Sequence, residues 1–184
     1  GFNGQFDATR KTDNIGWDGL YGVTVSAASP RGLVLRFGTM HTSSHVGDEY
    51  IERTGRERIG YTRQELLLGV SWPATRTLRL YAEVGGAVHL LNDELQQPWR
   101  VQAGAEFLKP GWPFHRGGWY AAVDAGSWEE RDWAVDLSAQ LGLFYPAGDR
   151  RWRTGIGFHS GRVPIGEFFQ DTETYWSLGL YIDL

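Results

Sequence analysis

The chain has 184 residues, a net charge of -4, 25 glycines, 14% aromatic residues and no cysteine. A domain of this length needs no disulfide staples, and a chain without thiols has neither a disulfide framework nor a thiolate metal site. The scattered Lys and Arg make no basic face for nucleic acid, and no apolar run approaches the roughly 18 residues that a membrane helix requires.

The chain opens at Gly1 without a Met or a visible signal peptide, which reads as a mature form or an excised fragment. From there the repeating signal is period-two alternation, the mark of strands and not of helices. Ten strands are predicted. The first two cover residues 2–9 and 17–28, and the tight turn Ser29-Pro30-Arg31-Gly32 leads to a third at 33–42, whose Leu33, Leu35 and Phe37 share one face. Residues 43–58 read as a long polar loop. The strand at 59–72 carries Arg63 and Glu65; after the turn Pro73-Ala74-Thr75-Arg76, the strand at 77–90 sets Leu78, Leu80, Ala82, Val84 and Val88 against Arg79, Tyr81, Glu83 and His89. The strand at 98–108 sets Trp99, Val101, Ala103, Ala105 and Phe107 against Arg100, Gln102, Gly104 and Glu106. A strand at 117–127 carries Asp124. The clearest alternation comes next, at 132–145: Trp133, Val135, Leu137, Ala139, Leu141, Leu143 and Tyr145 face one way, Asp136, Ser138, Gln140 and Gly142 the other. The turn 146–150, a strand at 151–159, a polar loop at 160–172 and a last strand at 173–184 complete the chain.

Alternation alone does not say which face meets water. Three features favour lipid on the oily side. The strands run to about 10–14 residues, where soluble strands average about 5–6. Aromatics gather where the oily faces begin or end, at Trp17, Trp72, Trp99, Trp119, Trp133, Tyr145, Trp152 and Trp176, as in the girdles of membrane barrels. The polar faces combine glycines with opposite charges, Arg63 with Glu65, Arg79 with Glu83 and Arg100 with Glu106, as a narrow lumen filled by ion pairs requires. The expectation is therefore an all-β fold: one antiparallel, up-and-down transmembrane β-barrel domain over 1–184 in the bacterial outer membrane. Both termini and the short turns lie in the periplasm, with the long loops outside. The alternative is a soluble β-sandwich or lipocalin-like barrel. The last strand, Ser177-Leu178-Gly179-Leu180-Tyr181-Ile182-Asp183-Leu184, resembles the C-terminal insertion signal of outer-membrane barrels except that it ends on Leu184 and not on an aromatic. That resemblance implies the barrel assembly machinery as a partner during insertion.

The residues with most chemistry lie in His41-Thr42-Ser43-Ser44-His45-Val46-Gly47-Asp48-Glu49. Residues two apart on a strand share a face about 7 Å apart, so an imidazole at His41 is within reach of Ser43, the contact by which a base activates a hydroxyl. Ser44 and His159 are further catalytic candidates. The His-x-Ser pair, placed on the lipid side by parity, resembles that of outer-membrane phospholipases and lipid A deacylases, although a bulge would reverse the parity. The bland reading is a polar rim bonded to lipid head groups or loop backbone. Asp48 and Glu49 offer hard oxygens for a Ca²⁺ ion or form an ordinary solvated pair; zinc on His41 and His45 would need a sharp turn between them. His45, Glu129, Glu130 and Glu167 are candidate binding groups of the external loops. Arg63, Glu65, Arg79, Glu83, Arg100, Glu106 and Asp124 read as lumen-filling charges.

Together these segments resemble an uncharacterised family of Gram-negative outer-membrane proteins, a domain of unknown function. Its members carry His-x-Ser-Ser-His-x-Gly-Asp-Glu, matched from His41 to Glu49; a Tyr-x-Arg strand, matched at Tyr61 and Arg63; a Glu-Glu hairpin before a Trp, matched at Glu129, Glu130 and Trp133; and Gly-x-x-Pro-x-Gly-x-Phe-Phe, matched from Gly161 to Phe169. Gln64 stands where the pattern has an acidic residue. The resemblance implies the barrel and its location, up to twelve strands in a longer parent, and no established activity. Two functions follow: a structural or binding barrel with a plugged lumen and a functional external rim, or an outer-leaflet lipid esterase. Outer-membrane lipid or lipopolysaccharide is the partner in either case. A small-solute channel is a third reading, weakened by the crowded charges of a narrow barrel.

Overall fold

A computed structural model describes residues 1–112 and 115–183. Ten antiparallel strands lie side by side in chain order: β1 (Phe2–Asp7), β2 (Asp13–Ala28), β3 (Val34–Val46), β4 (Thr62–Pro73), β5 (Leu78–Leu90), β6 (Trp99–Pro110), β7 (Gly118–Trp128), β8 (Val135–Ala147), β9 (Arg150–Arg162) and β10 (Thr172–Asp183). The sheet curls into a half-barrel. One end, the loop end, carries residues 8–12, 47–61, 91–98, 129–134 and 163–171. The other, the turn end, carries the connections β2 to β3, β4 to β5, β6 to β7 and β8 to β9.

The predicted strands are present, and their bounds differ in instructive ways. β1 is short and, among the described residues, pairs only with residues 13–19 of β2 and leaves residues 21–28 of β2 with no strand on that edge. Near the loop end, β1 meets the far edge through side chains, with Gln5 Nε2 donating to Glu173 Oε1 at 3.3 Å and Asn3 Nδ2 to the Pro164 carbonyl at 3.5 Å. β3 does not stop at residue 42 but runs to Val46, because the ladder with β2 continues as far as Gly16 opposite Val46. The His41–His45 motif therefore lies on a strand, not in a loop. β9 likewise runs on to Arg162. A short helix α1 (Asp48–Thr54) occupies part of the expected loop, ended by Gly55 at φ 70, a left-handed conformation that suits glycine. The connection expected at 109–116 includes residues 113 and 114, outside the described residues, as is Leu184.

The alternation resolves into an apolar outside. Leu35, Phe37, Leu66, Leu68, Leu80, Val101, Val123, Leu137, Ile156 and Leu180 are exposed on the outer face; Leu141 is 60% and Leu178 87% exposed. Aromatics border this surface. Trp17, Trp99 and Trp133 stand toward the loop end, Trp72, Tyr145 and Trp152 toward the turn end. The inner face carries Asp18, Arg63, Glu65, Arg100 and Asp136, all buried. The apolar core is small and sits under the loops, where Val46, Val163, Ile165 and Phe168 cluster against Ile15, Tyr50 and Ile51.

Candidate functional site

Segment 163–171 folds into the mouth at the loop end, where Ile165, Phe168 and Phe169 are buried. Two glycines make the entry possible. Gly161 has φ 154 and a Cβ there would lie 2.5 Å from Asp136 Oδ1; at Gly166 a Cβ would lie 2.3 Å from the Tyr61 ring. Buried polar groups then hold the segment in place. Glu167 accepts from the backbone N–H groups of Ile59 at 2.9 Å, Gly60 at 3.0 Å and Tyr61 at 3.2 Å. The Glu167 N–H donates to Ser44 Oγ at 2.8 Å, and the Gly166 N–H donates to Asp18 Oδ1 at 3.1 Å. Ser44 and Glu167, a catalytic and a binding candidate of the sequence, are thus brought together as parts of one lock between β3 and two loops.

Below the lock, charges surround Trp128. The guanidiniums of Arg162, Arg63 and Arg100 lie 4.1, 5.2 and 5.4 Å from its ring, within cation–π range. Arg63 sits 3.4 Å from Glu65 and 3.5 Å from Glu130, and it donates to the Gln97 carbonyl at 2.8 Å. Arg162 reaches Glu130 at 3.2 Å, and the Tyr61 hydroxyl donates to the same carboxylate at 3.3 Å. Glu130 belongs to the 129–131 hairpin at the loop end. Burial raises its carboxyl above the usual range, against the lowering pull of Arg162 and Arg63. Burial also pushes the Tyr61 phenol up. Glu129, its neighbour, accepts instead from the Trp99 N–H at 3.1 Å.

Of the expected charge pairs along single strands, only Arg63 with Glu65 forms. Arg79 pairs across to Glu106 at 2.6 Å, while Arg100 takes Glu65 at 2.9 Å and Glu83 at 2.8 Å. Glu83 also holds Arg36. The reason is geometric: residues four apart on a strand are about 13 Å apart, whereas residues opposite one another are about 5 Å apart, and Arg79 stands opposite Glu106. Asp124 accepts from the Tyr81 hydroxyl at 2.5 Å and from Gln102 at 2.8 Å.

These groups wall a cleft of about 380 Å³ inside the curl, lined by Asp18, Tyr61, Arg63, Arg100, Asp124, Trp128, Asp136, Ser138, His159 and Arg162 among others. His159 is bonded on both ring nitrogens, Nδ1 to Ser138 Oγ and Nε2 to the Arg162 carbonyl, each at 2.9 Å. Ser138 and Trp128 were not singled out in the sequence. A signal for Ser138 was present: counting back from the Gly148-Asp149 turn places it opposite His159, as the ladder does.

On the outer face, His41, Ser43 and His45 share one side of β3 with Leu35 and Phe37. His41 does not serve Ser43. Its ring stacks on Tyr21 with centroids 4.5 Å apart, whereas Ser43 Oγ lies 3.3 Å from Nε2 of His45, which in turn stacks on Trp17 at 4.3 Å. The physical reason is that each imidazole stands opposite an aromatic of β2, His41 to Tyr21 and His45 to Trp17. Asp48 and Glu49 fall in the first turn of α1, where carboxylates suit the helix dipole, and Asp48 pairs with Arg58 at 2.5 Å. Among the described residues, no three His, Asp or Glu side chains are grouped to hold a metal.

The chain belongs to the family described as protein of unknown function DUF1207, whose model matches residues 6–183. No curated protein and no solved structure matches it.

Proposed function

We propose that this chain is an outer-membrane β-barrel protein of a Gram-negative bacterium, with a structural or binding role exercised through its external mouth. The observation that carries the reading is the inverted pattern of the sheet. Large apolar side chains cover the outside of every long strand, and the inside holds charge pairs such as Arg63 with Glu65 and Arg100 with Glu83. In water such an exterior would be a very large exposed apolar surface. Against hydrocarbon it is the favoured arrangement. Strands of 11–13 residues from β3 to β10 match the roughly 9–11 tilted residues needed to cross the bilayer core. Short turns at one end and the lock of Glu167, Ser44 and Asp18 at the other fit a periplasmic side and an external, plugged side. Outer-membrane lipid or lipopolysaccharide meets the outer face, and the barrel assembly machinery inserts it. Protein refolded into phosphatidylcholine vesicles should stay with them after a urea wash and keep its strands intact under protease. Release by the wash would contradict the reading.

An outer-leaflet lipid esterase is the second reading, favoured by the Ser43–His45 contact on the lipid side. His45 then replaces His41 as the base, and a Ca²⁺ ion at Asp48 or Glu49 would assist. Fatty-acid release from phospholipid or lipopolysaccharide, with and without Ca²⁺, should disappear in Ser43→Ala. Equal release from both proteins, or none from either, removes this reading.

A further inference from the structure

A nucleophile and a base also meet inside the curl. Ser138 of β8 and His159 of β9 stand directly opposite one another, both on the wall of the inner cleft. Nε2 of His159 lies 2.9 Å from the Arg162 carbonyl, and Nδ1 lies 2.9 Å from Ser138 Oγ. A carbonyl oxygen only accepts, so Nε2 carries the proton. Nδ1 therefore presents a lone pair and accepts from the serine hydroxyl. That is the protonation state in which an imidazole can take the proton of an attacking serine. The ring is steadied on a second side by Tyr175, opposite it on β10, with centroids 5.2 Å apart. Neither residue belongs to the lock of the 163–171 segment or to the ion pairs around Trp128.

We propose that Ser138 and His159 form an internal nucleophile–base pair that cleaves short-chain carboxylic esters entering the cleft. The size of the cleft, about 380 Å³, is at the small end of ligand pockets. Asp18, Asp124, Asp136 and three arginines on its wall favour small polar esters over lipid acyl chains. Ser138 Oγ attacks the ester carbonyl and passes its proton to His159 Nδ1. Collapse breaks the bond to the alcohol, which leaves with that proton. A water then attacks the acyl-serine, gives a proton to Nδ1, and Ser138 recovers it as the carboxylic acid departs. Arg63, Arg100 and Arg162 are guanidiniums of the kind that stabilise charge developing on a carbonyl oxygen.

The test uses the full chain folded in detergent, a small fluorophosphonate as the covalent probe with the modified residue located by mass spectrometry, and p-nitrophenyl acetate as substrate. The expected result is an adduct on Ser138, absent in Ser138→Ala, formed about 100-fold more slowly in His159→Gln and unchanged in Ser160→Ala, which removes only a hydroxyl bonded to Thr174. Hydrolysis of the acetate should follow the same order. The absence of any Ser138 adduct in the native chain, or an equal labelling rate in His159→Gln, overturns the proposal and leaves an ordinary structural hydrogen bond. If His159→Gln does not fold, the native chain decides: labelling of Ser138 faster than that of Ser160, whose hydroxyl bonds only Thr174, supports the pair, and equal rates overturn it. Because the readout needs no bilayer and the adduct is located by residue, failure here is distinguishable from failure of the membrane or outer-face readings.

Discussion

The two ends of the sheet share the same strands and the same polar inner face, yet only the loop end is packed. There Arg63 is 1% exposed and lies against Glu65, Glu130 and Trp128 beneath Ile165 and Phe169. At the turn end, Arg79 and Glu106 form an ion pair of better geometry, 2.6 Å, with side chains 44% and 43% exposed. The difference teaches that distance alone does not set what a charge pair is worth. A buried pair is costly to break because the survivor keeps its desolvation penalty without a partner, whereas a wet pair is replaced by water at little loss.

The sharpest way to break the comparison is Arg63→Ala. It takes a buried partner from both Glu65 and Glu130, leaving them to Arg100 and Arg162, and unfolding in urea should show a loss of about 3 kcal/mol, the low end for a broken buried pair; a loss near that of a surface pair would mean that the loop end is wetter than described. Glu167→Gln comes next. It weakens an acceptor shared by three backbone N–H groups and should cost about 1–3 kcal/mol, with earlier protease cleavage at residues 55–61. Arg79→Ala, at the turn end, should cost less than about 1 kcal/mol, and that loss should shrink in high salt.

The smallest effect is a pH slope. Burial holds the Glu130 carboxyl above its ordinary 4.5, so near and above that pH the folded chain retains a proton that the unfolded chain has released. The contribution of this group is therefore fully present below about pH 4.5 and is lost as pH rises through the folded value. Unfolding titrations of Glu130→Gln against the native chain should show a flatter decline over that window. An unchanged slope would place the titration elsewhere.

The strand count, the inward and outward faces and the two classes of connection were legible because period two is a local property of the sequence. Trp133 to Tyr145 spell out their face without reference to any other strand. Partners across strands were less legible. Arg79 with Glu106, or Arg100 with Glu65, depends on register between strands, and only the short Gly148-Asp149 turn could have supplied it for β8 and β9. The lock at Glu167 was hidden for a further reason. Its ligands are backbone N–H groups of residues 59–61, and main-chain donors leave no signature in a sequence. The motif from Gly161 to Phe169 pointed to the segment. The steric need for Gly161 beside Asp136 and Gly166 beside Tyr61 explains its glycines as fold, not chemistry.

The absence of native cysteine makes the decisive measurement clean. Single cysteines placed at Leu137, Leu141 and Leu80, and at Gln140 and Glu83, can each carry an environment-sensitive fluorophore in vesicles containing brominated lipid. The account predicts strong quenching at the three leucine positions and little at Gln140 and Glu83. Equal quenching across both sets, or water-like emission from Leu137, Leu141 and Leu80, would contradict it.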